Sequence, residues 1–204
     1  MMQRARTWLG AFTSALLLAA CAHARPFPVD GGVPYAIVVR HAEKAPAPAD
    51  DPVLSAMGMA RAVALDSMLG VQPVGDVVVS QLQRSRLTAS VFITRTSPVV
   101  HVIPIGAAGT AAHVQAVADT VRAIARRRGR GGILVVGHSN TVTQIVAALG
   151  AGSPPALCDS QYSQLFRVTL TAAAPASLAR STYGALDPAD ATCTQSLPGM
   201  LPTR

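Results

Sequence analysis

Aromatic side chains are scarce in this sequence: phenylalanine, tryptophan and tyrosine make up 4% of its 204 residues. Proteins that bind single-stranded nucleic acid stack bases on aromatic rings, so this scarcity argues against that class. The only dense basic cluster, Arg126 to Arg130, follows a helix-like run. Cations favour a helix C-terminus, so a solvated helix end explains the cluster better than a phosphate-binding patch does. We expect no nucleic-acid partner.

Metal-binding and nucleotide-binding patterns are also lacking. The segment from His41 to Glu43 matches the H-x-E element of zinc deaminases, but Cys158 and Cys193 are too far apart to supply the required cysteine pair. The sequence has no Gly-rich Walker loop and no convincing cluster of metal ligands. It therefore predicts neither a metal nor a cofactor.

The stretch "ILVVGHSNT" has the strand-turn-helix outline of a serine-hydrolase elbow centred on Ser139. Thr141 stands where that motif needs its second glycine. That fold also needs a histidine after the serine, and none follows His138. The serine-hydrolase interpretation therefore fails.

The longest apolar run near the start, Trp8 to Ala20, is too short to span a bilayer comfortably. It follows arginines at positions 4 and 6 and ends in small residues before Cys21, which predicts a secretory signal. The four residues ending at Cys21 resemble the lipobox of bacterial lipoproteins, which implies lipidation of Cys21 and a membrane anchor on the periplasmic face. The alternative is an ordinary signal with a coincidental cysteine. Ala22, in place of an aspartate, favours the outer membrane.

These features divide the chain into a signal peptide (1–20), a tether (21–34), one domain (35–186) and an irregular tail (187–204). Residues 22–34 hold three prolines and two glycines, as a tether would. Removal of residues 1–20 takes away two arginines and no acid, so the net charge falls from +7 to +5. A basic surface suits anionic ligands.

Strand and helix patterns alternate along the domain, which predicts an α/β fold. Strands are predicted near 35–40, 76–80, 99–103, 132–136, 163–171 and 177–183, and helices near 54–69, 84–94, 110–128 and 140–149. Alternation of this kind indicates a three-layer α/β/α sandwich with a mostly parallel central sheet. Because exported chains retain disulfides, we also expect Cys158 to pair with Cys193 and tie the tail to the loop near residue 158.

Three predicted strands end on residues that bind anions. The first ends at Arg40 and His41, the second runs on to Arg84, and the strand "GILVV" leads to His138. Open α/β sheets place ligands beyond the carboxyl ends of parallel strands. Two arginines and two histidines are therefore expected at one sheet edge.

The segments "VVRHAEK", "S…RSRLTA" and "VVGHSNTV" resemble, in order and spacing, the histidine phosphatases of the branch that includes phosphoglycerate mutases and phosphohistidine phosphatases. "RHAEK" departs from the better-known "RHG" form and resembles a small exported subgroup. The resemblance implies the histidine phosphatase fold, with His41 as the nucleophile that forms a phosphohistidine. It makes His138 a hydrogen-bond donor to the phosphoryl oxygens.

Arg40 and Arg84 fit phosphate binding by their chemistry, because guanidinium forks match phosphoryl oxygens. The proton donor is less clear, since no carboxylate occurs between Arg84 and Asp119. Glu43 is the nearest carboxylate to the nucleophile by sequence and is the candidate acid. A structural pairing of Glu43 with Lys44 or an arginine is the open alternative.

The sequence thus predicts a metal-independent phosphatase that acts on a small phosphorylated substrate through a phosphohistidine. The missing acid favours substrates with good leaving groups, such as acyl phosphates or phosphoramidates, and makes mutase activity less expected. The alternative is a surface lipoprotein that binds a phosphorylated ligand without turning it over.

Overall fold

A computed structural model describes residues 32–70, 72–171, 175–190 and 193 of the chain. The predicted signal peptide, Cys21, nearly all of the tether and most of the tail lie outside the described residues. Among the residues described, none of the helices combines the length and the apolar composition that a membrane crossing requires.

The described residues form six strands and five helices. The strands are β1 (Tyr35–Arg40), β2 (Val74–Val79), β3 (Val99–Val102), β4 (Gly132–Gly137), β5 (Gln164–Thr169) and β6 (Ser177–Thr182), and the helices are α1 (Ala56–Leu69), α2 (Gln83–Thr88), α3 (Ser90–Thr96), α4 (Gly109–Arg128) and α5 (Val142–Ala148). Each strand and helix predicted from the sequence is present, with bounds that shift by a few residues.

One predicted helix, 84–94, is two helices that meet at Ala89. The amide of Ala89 bonds to the carbonyls of Arg86 and Leu87 rather than to the carbonyl four residues earlier. The hydroxyl of Ser85 in α2 donates to the carbonyl of Val136 on β4 at 2.9 Å, which ties α2 to the sheet. The break therefore lets α2 and α3 follow different directions over the sheet.

All six strands form one sheet in the order β3-β2-β4-β1-β5-β6. The first four strands of this order run parallel, and β5 is antiparallel to both β1 and β6. The sheet is mostly parallel, as predicted. The register sets Arg40 opposite Gly137, so the residues that follow β1 and β4 leave the sheet at the same level.

Helices cover both faces of this sheet and give the three-layer architecture. Ala36 and Val38 of β1 pack in a cluster with residues of α4 and α5. Ile37 and Val39 point the other way and pack with residues of α1 and α3. Each such aliphatic side chain contributes about 1.5–3 kcal/mol through its burial. This two-sided burial is why β1 and β4 are apolar along their length.

The arginine cluster at the end of α4 is exposed, as the prediction of a solvated helix end requires, and two of its arginines also pair with a buried carboxylate. Arg127 and Arg128 both pair with Asp76 of β2, whose side chain is fully buried. His101 lies 2.9 Å from the same carboxylate. A buried carboxylate needs such partners because desolvation of an unpaired charge is costly.

Candidate active site

Four of the predicted site residues, Arg40, His41, Arg84 and His138, meet at the carboxyl ends of β1, β2 and β4. They border a cavity of about 490 Å³, lined by Arg40, His41, Lys44, Arg84, Ile105, His138, Ser139, Asn140, Asp159 and Tyr162. A second cavity, of about 600 Å³, opens at the opposite ends of β2 and β4, beside Arg128 and Arg130. None of the predicted site residues lines that second cavity, so the first is the candidate active site.

His41 is held directly beyond β1 by two backbone groups. Its amide donates to the carbonyl of Gly137 at 2.9 Å, and its ring Nδ1 lies 2.8 Å from the carbonyl of Ala42. A carbonyl oxygen only accepts hydrogen bonds, so Nδ1 carries the ring proton. In the neutral ring, Nε2 is then the nitrogen with a free lone pair.

Burial lowers the pKa of His41 to about 3, although the bond to the Ala42 carbonyl opposes this shift. The charges of His138, Arg40 and Arg84 lower the pKa further. His41 is therefore neutral at physiological pH, the state in which an imidazole is a nucleophile.

His138 lies beside His41, with ring centroids 5.3 Å apart. Its Nε2 is 3.0 Å from the hydroxyl oxygen of Ser80, the residue after β2, which orients the ring. Burial, with the charge of Arg84 next in weight, lowers the pKa of His138 to about 4. The site thus holds two neutral histidines beside cationic side chains.

The guanidinium of Arg40 is buried and forms hydrogen bonds with the loop before β5. Its Nη1 donates to the carbonyls of Cys158, Asp159 and Gln161 at 3.0, 2.9 and 3.0 Å. The group also stacks on the ring of Tyr162, 4.0 Å from its centroid. By contrast, Nε is buried and has no hydrogen-bond partner in the described part of the chain. The Nε–H of the fork is therefore a buried donor without an acceptor among these residues.

Arg84 reaches the cavity from the first turn of α2, and its side chain is 18% exposed. Its Nη1 is 4.0 Å from a carboxylate oxygen of Asp51, a weak pairing. The hydroxyl of Thr88 donates to the Arg84 carbonyl and accepts from the amide of Ala42 at 2.8 Å. This hydroxyl fixes α2, and with it Arg84, against the loop that carries His41.

Glu43 does not line the cavity. Both of its carboxylate oxygens accept bonds from Arg61, at distances between 2.7 and 3.0 Å. Arg61 is buried and also donates to the carbonyls of Tyr183 and Ala185. These contacts are against Glu43 as the proton donor and favour the alternative of a structural pairing, with Arg61 as the arginine.

Several residues that line the cavity were not predicted from the sequence. Lys44, Ser139 and Asn140 are chain neighbours of predicted residues and could have been inferred from them. Asp159 and Tyr162 lie in the loop before β5, and because β5 is antiparallel to β1, this loop returns to the end of β1. Only the antiparallel direction of β5 in the sheet, and no local sequence motif, places Asp159 and Tyr162 beside the cavity. Asp159 is the only carboxylate that lines the cavity among the described residues, and its side chain is 98% exposed.

The same loop carries a disulfide. Cys158 is bonded to Cys193, the pair expected from the sequence, with Cα atoms 5.7 Å apart. The described residues contain no group of three or more histidine, cysteine, aspartate or glutamate side chains arranged to hold a metal ion.

Comparison with solved structures relates this architecture to known phosphatases. The protein histidine phosphatase SixA in complex with tungstate aligns with a TM-score of 0.60 at 21% identity, over 73% of this chain and 96% of SixA. A phosphoserine phosphatase from Entamoeba histolytica in complex with 3-phosphoglyceric acid aligns at 0.55 and 13% identity, over 75% of this chain and 98% of that one. The alpha-ribazole phosphatase from Shigella flexneri aligns at 0.53 and 18%, over 76% and 96%. No model of a protein family and no curated protein sequence matches the chain. At these identities the likenesses establish the fold.

Proposed function

We propose that this chain, which has the histidine phosphatase fold, is a phosphatase that works through a phosphohistidine on His41. One observation carries the proposal: a buried, neutral His41 with a free Nε2 shares a cavity with Arg40, Arg84 and His138. A nucleophile and three anion-binding groups are the parts that phosphoryl transfer needs.

The proposed reaction has two steps. In the first, the Nε2 lone pair of His41 attacks phosphorus, the bond from phosphorus to the leaving group breaks, and the leaving group departs with that electron pair. The ring becomes cationic, and the bond from Nδ1–H to the Ala42 carbonyl stabilises this charge. In the second step, water attacks phosphorus, the N–P bond breaks, and inorganic phosphate leaves.

Two guanidinium groups and the ring of His138 stabilise the phosphoryl oxygens during both steps. Because Nη1 of Arg40 is occupied by three carbonyls, we propose that its Nε and Nη2 form the edge that binds two phosphoryl oxygens. Arg84 and His138 complete the binding site. Preorganised donors of this kind act mainly on the transition state.

We propose that the substrates have good leaving groups, such as acyl phosphates or phosphoramidates. The lining of the cavity offers no buried carboxylate that could protonate a poor leaving oxygen, and Asp159 is almost fully exposed. A leaving group of low basicity departs without such help. The same absence favours the second candidate, a protein that binds a phosphorylated ligand without turnover.

Turnover of p-nitrophenyl phosphate separates the two candidates, because this substrate needs little help at its leaving group. The phosphatase should hydrolyse it, and His41→Ala should abolish hydrolysis. His101→Ala is the matched control, because His101 contacts Asp76 and does not line the cavity. Phosphate binding without hydrolysis would support the binding protein instead.

The phosphohistidine can be trapped directly. When the protein is mixed with an activated phosphomonoester and quenched in alkali, a peptide containing residue 41 should carry an acid-labile, alkali-stable phosphate. His101→Ala should keep this adduct and His41→Ala should lose it. An adduct on another residue, or full activity of His41→Ala, would refute the proposal.

We further propose that the protein is an exported bacterial lipoprotein, held by a lipid on Cys21 at the periplasmic face of the envelope, with the outer membrane favoured. The composition of residues 1–22 supports this location. The prolines and glycines that follow suit a tether between the lipid and the domain.

A further inference from the structure

The described end of the C-terminal segment is bonded to the loop before β5, which we call the 158–163 loop. One carboxylate oxygen of Asp187 accepts from the amides of Tyr162 and Ser163, both at 2.7 Å. Its other oxygen accepts from the Ser163 hydroxyl at 2.7 Å. Three hydrogen bonds to one carboxylate fix the backbone at the end of the loop, and charge-assisted bonds are the stronger kind.

Two further links fix the start of the 158–163 loop. The disulfide joins Cys158 to Cys193. The hydroxyl of Ser160 donates to a carboxylate oxygen of Asp190 at 2.7 Å. The C-terminal segment therefore holds the loop at both of its ends.

The 158–163 loop in turn surrounds the guanidinium of Arg40. Three of its carbonyls accept from Nη1, and the Cζ atom of Arg40 lies over the ring of Tyr162, 4.0 Å from the ring centroid. Few other contacts could orient Arg40, because its Nε has no partner among the described residues and its Nη2 lies 3.8 Å from Asp159. The loop therefore decides where the Nε and Nη2 edge points.

We propose that Asp187 and the Cys158–Cys193 disulfide are positioning groups for Arg40. This inference rests on the proposed function, because it assumes that Arg40 binds the phosphoryl group. They hold the 158–163 loop so that the Nε and Nη2 edge of Arg40 faces the phosphorus bound by His41. A bidentate contact of this kind is sensitive to displacement, and a shift of about 1 Å can lower a rate about a hundredfold.

The test is a double-mutant cycle between Asp187→Asn and Arg40→Ala. The asparagine keeps one acceptor oxygen but sets an amide N–H against a backbone or hydroxyl donor, so the loop loses a hydrogen bond. We expect Asp187→Asn to lower kcat/KM for p-nitrophenyl phosphate by roughly tenfold to a hundredfold, and to raise the inhibition constant of inorganic phosphate. In the Arg40→Ala background the same change should have no further effect on either quantity, because Asp187 acts through Arg40.

Asp66→Asn is the matched control. Asp66 is a carboxylate that accepts from the side chain of Arg95, and it lies away from the cavity. It should leave both kinetic quantities unchanged. Equal losses from Asp187→Asn with and without Arg40 would mean that Asp187 is only structural, and would overturn the inference.

A second experiment tests the disulfide independently. It also tests the proposal if the Asp187→Asn variant does not fold. The double variant Cys158→Ser/Cys193→Ser should show the same loss of kcat/KM, and again none in the Arg40→Ala background. Dithiothreitol, which reduces the disulfide to two thiols as it is itself oxidised, should cause the same loss in the wild type and none in the double variant. An unchanged rate in both experiments would refute the role of the disulfide. Full activity of His41→Ala would instead refute the proposed function itself.

Discussion

At the residue scale, the candidate site concentrates positive charge around two histidines that stay neutral. His41 and His138 are buried and lie beside Arg40 and Arg84, and all of these conditions disfavour protonation of an imidazole. The same cations attract a phosphoryl group. The arrangement thus keeps His41, the proposed nucleophile, unprotonated at the proposed anion-binding position.

Arg84 and His138 should each contribute to the rate through the transition state. Replacing either by alanine removes one preorganised donor, which typically costs roughly 3–4 kcal/mol, or about a hundredfold to a thousandfold in kcat. The measurement is steady-state turnover of p-nitrophenyl phosphate. Arg95→Ala serves as the control, because Arg95 pairs with Asp66 on the surface. Losses below about threefold for Arg84→Ala and His138→Ala would contradict their assignment.

The histidine rings should show their low pKa values in solution. The Hε1 resonances of His41 and His138, assigned through His41→Asn and His138→Asn, should not shift between pH 8 and 5.5, since their pKa values are about 3 and about 4. A midpoint near 6.5 for either ring would contradict the buried, neutral state.

The lowered pKa values of His41 and His138 also make the stability of the folded protein depend on pH. Below pH 6.5 the unfolded chain protonates these histidines and the folded chain does not, so stability should fall as the pH drops from 6.5 towards about 4 for His138 and about 3 for His41. The stabilising contribution of the neutral state is complete above pH 6.5. A shallower pH dependence of the melting temperature in His138→Asn would confirm the link.

Glu43 should act on stability and site geometry rather than on proton transfer. Glu43→Gln weakens the pairing with buried Arg61, so we expect a lower melting temperature. Its effect on the rate should be the same for an alkyl phosphate and for p-nitrophenyl phosphate, because only a proton donor distinguishes the two leaving groups. A loss confined to the alkyl phosphate would restore Glu43 as the acid.

At the element scale, the start of α1 is packed against the loop that carries His41. The hydroxyl of Ser55 caps the helix by accepting from the amide of Gly58, and the amide of Ser55 donates to the carbonyl of Glu43 at 2.9 Å. Gly58 lies against that same carbonyl, where a Cβ atom would be closer than side chains approach in real structures. A glycine is therefore required for the helix to support the loop.

Gly58→Ala should destabilise the protein despite the better helix propensity of alanine. Propensity alone predicts a gain of about 1 kcal/mol, but overpacking against backbone costs typically about 1–3 kcal/mol and displaces the Glu43 carbonyl. We expect a lower melting temperature and a lower kcat. Gly106→Ala is the control, because a Cβ atom added at Gly106 would meet nothing within 4 Å among the described residues. A gain in stability from Gly58→Ala would contradict the close approach.

At the scale of the whole molecule, the two ends of the parallel strands hold different groups of charged residues. The carboxyl ends hold the cavity with His41, and the opposite ends hold buried Asp76 with its cationic partners. The C-terminal segment then returns to the cavity through β5, β6 and the disulfide. The active end is thus bordered by segments that are distant in the sequence.

The N-terminal segment should decide where the molecule resides. Cys21→Ser removes the thiol that would carry the lipid, so the protein should move from the membrane fraction to the soluble periplasmic fraction or remain uncleaved. Ala22→Ser, one residue later, should leave the protein in the membrane fraction. Fractionation with immunoblotting and mass analysis of the N-terminus makes the comparison. An intact wild-type protein that is soluble without detergent would contradict the anchor.

Much of the fold was predictable because its signals are local. Runs such as "GILVV" are apolar and rich in β-branched residues over the length of a strand, and the helices between them have the composition and length to cover a sheet. The break at Ala89 was not predictable from such a pattern, because apolar periodicity continues across it and the hydroxyl of Ser85 reaches Val136 only in the folded sheet.

The sequence by itself determined that Arg40, His41, Arg84 and His138 meet, because each lies at the end of a parallel strand or shortly after it, and such ends share one edge of the sheet. Only the tertiary structure decided the partner of each charged group. Glu43 bonds to Arg61, which lies 18 residues away on α1, and Arg40 bonds to carbonyls 118 to 121 residues away. Strand ends follow from chain-local composition and a known topology. Ion-pair partners depend on which buried groups packing brings within hydrogen-bond distance, and no local pattern encodes that distance.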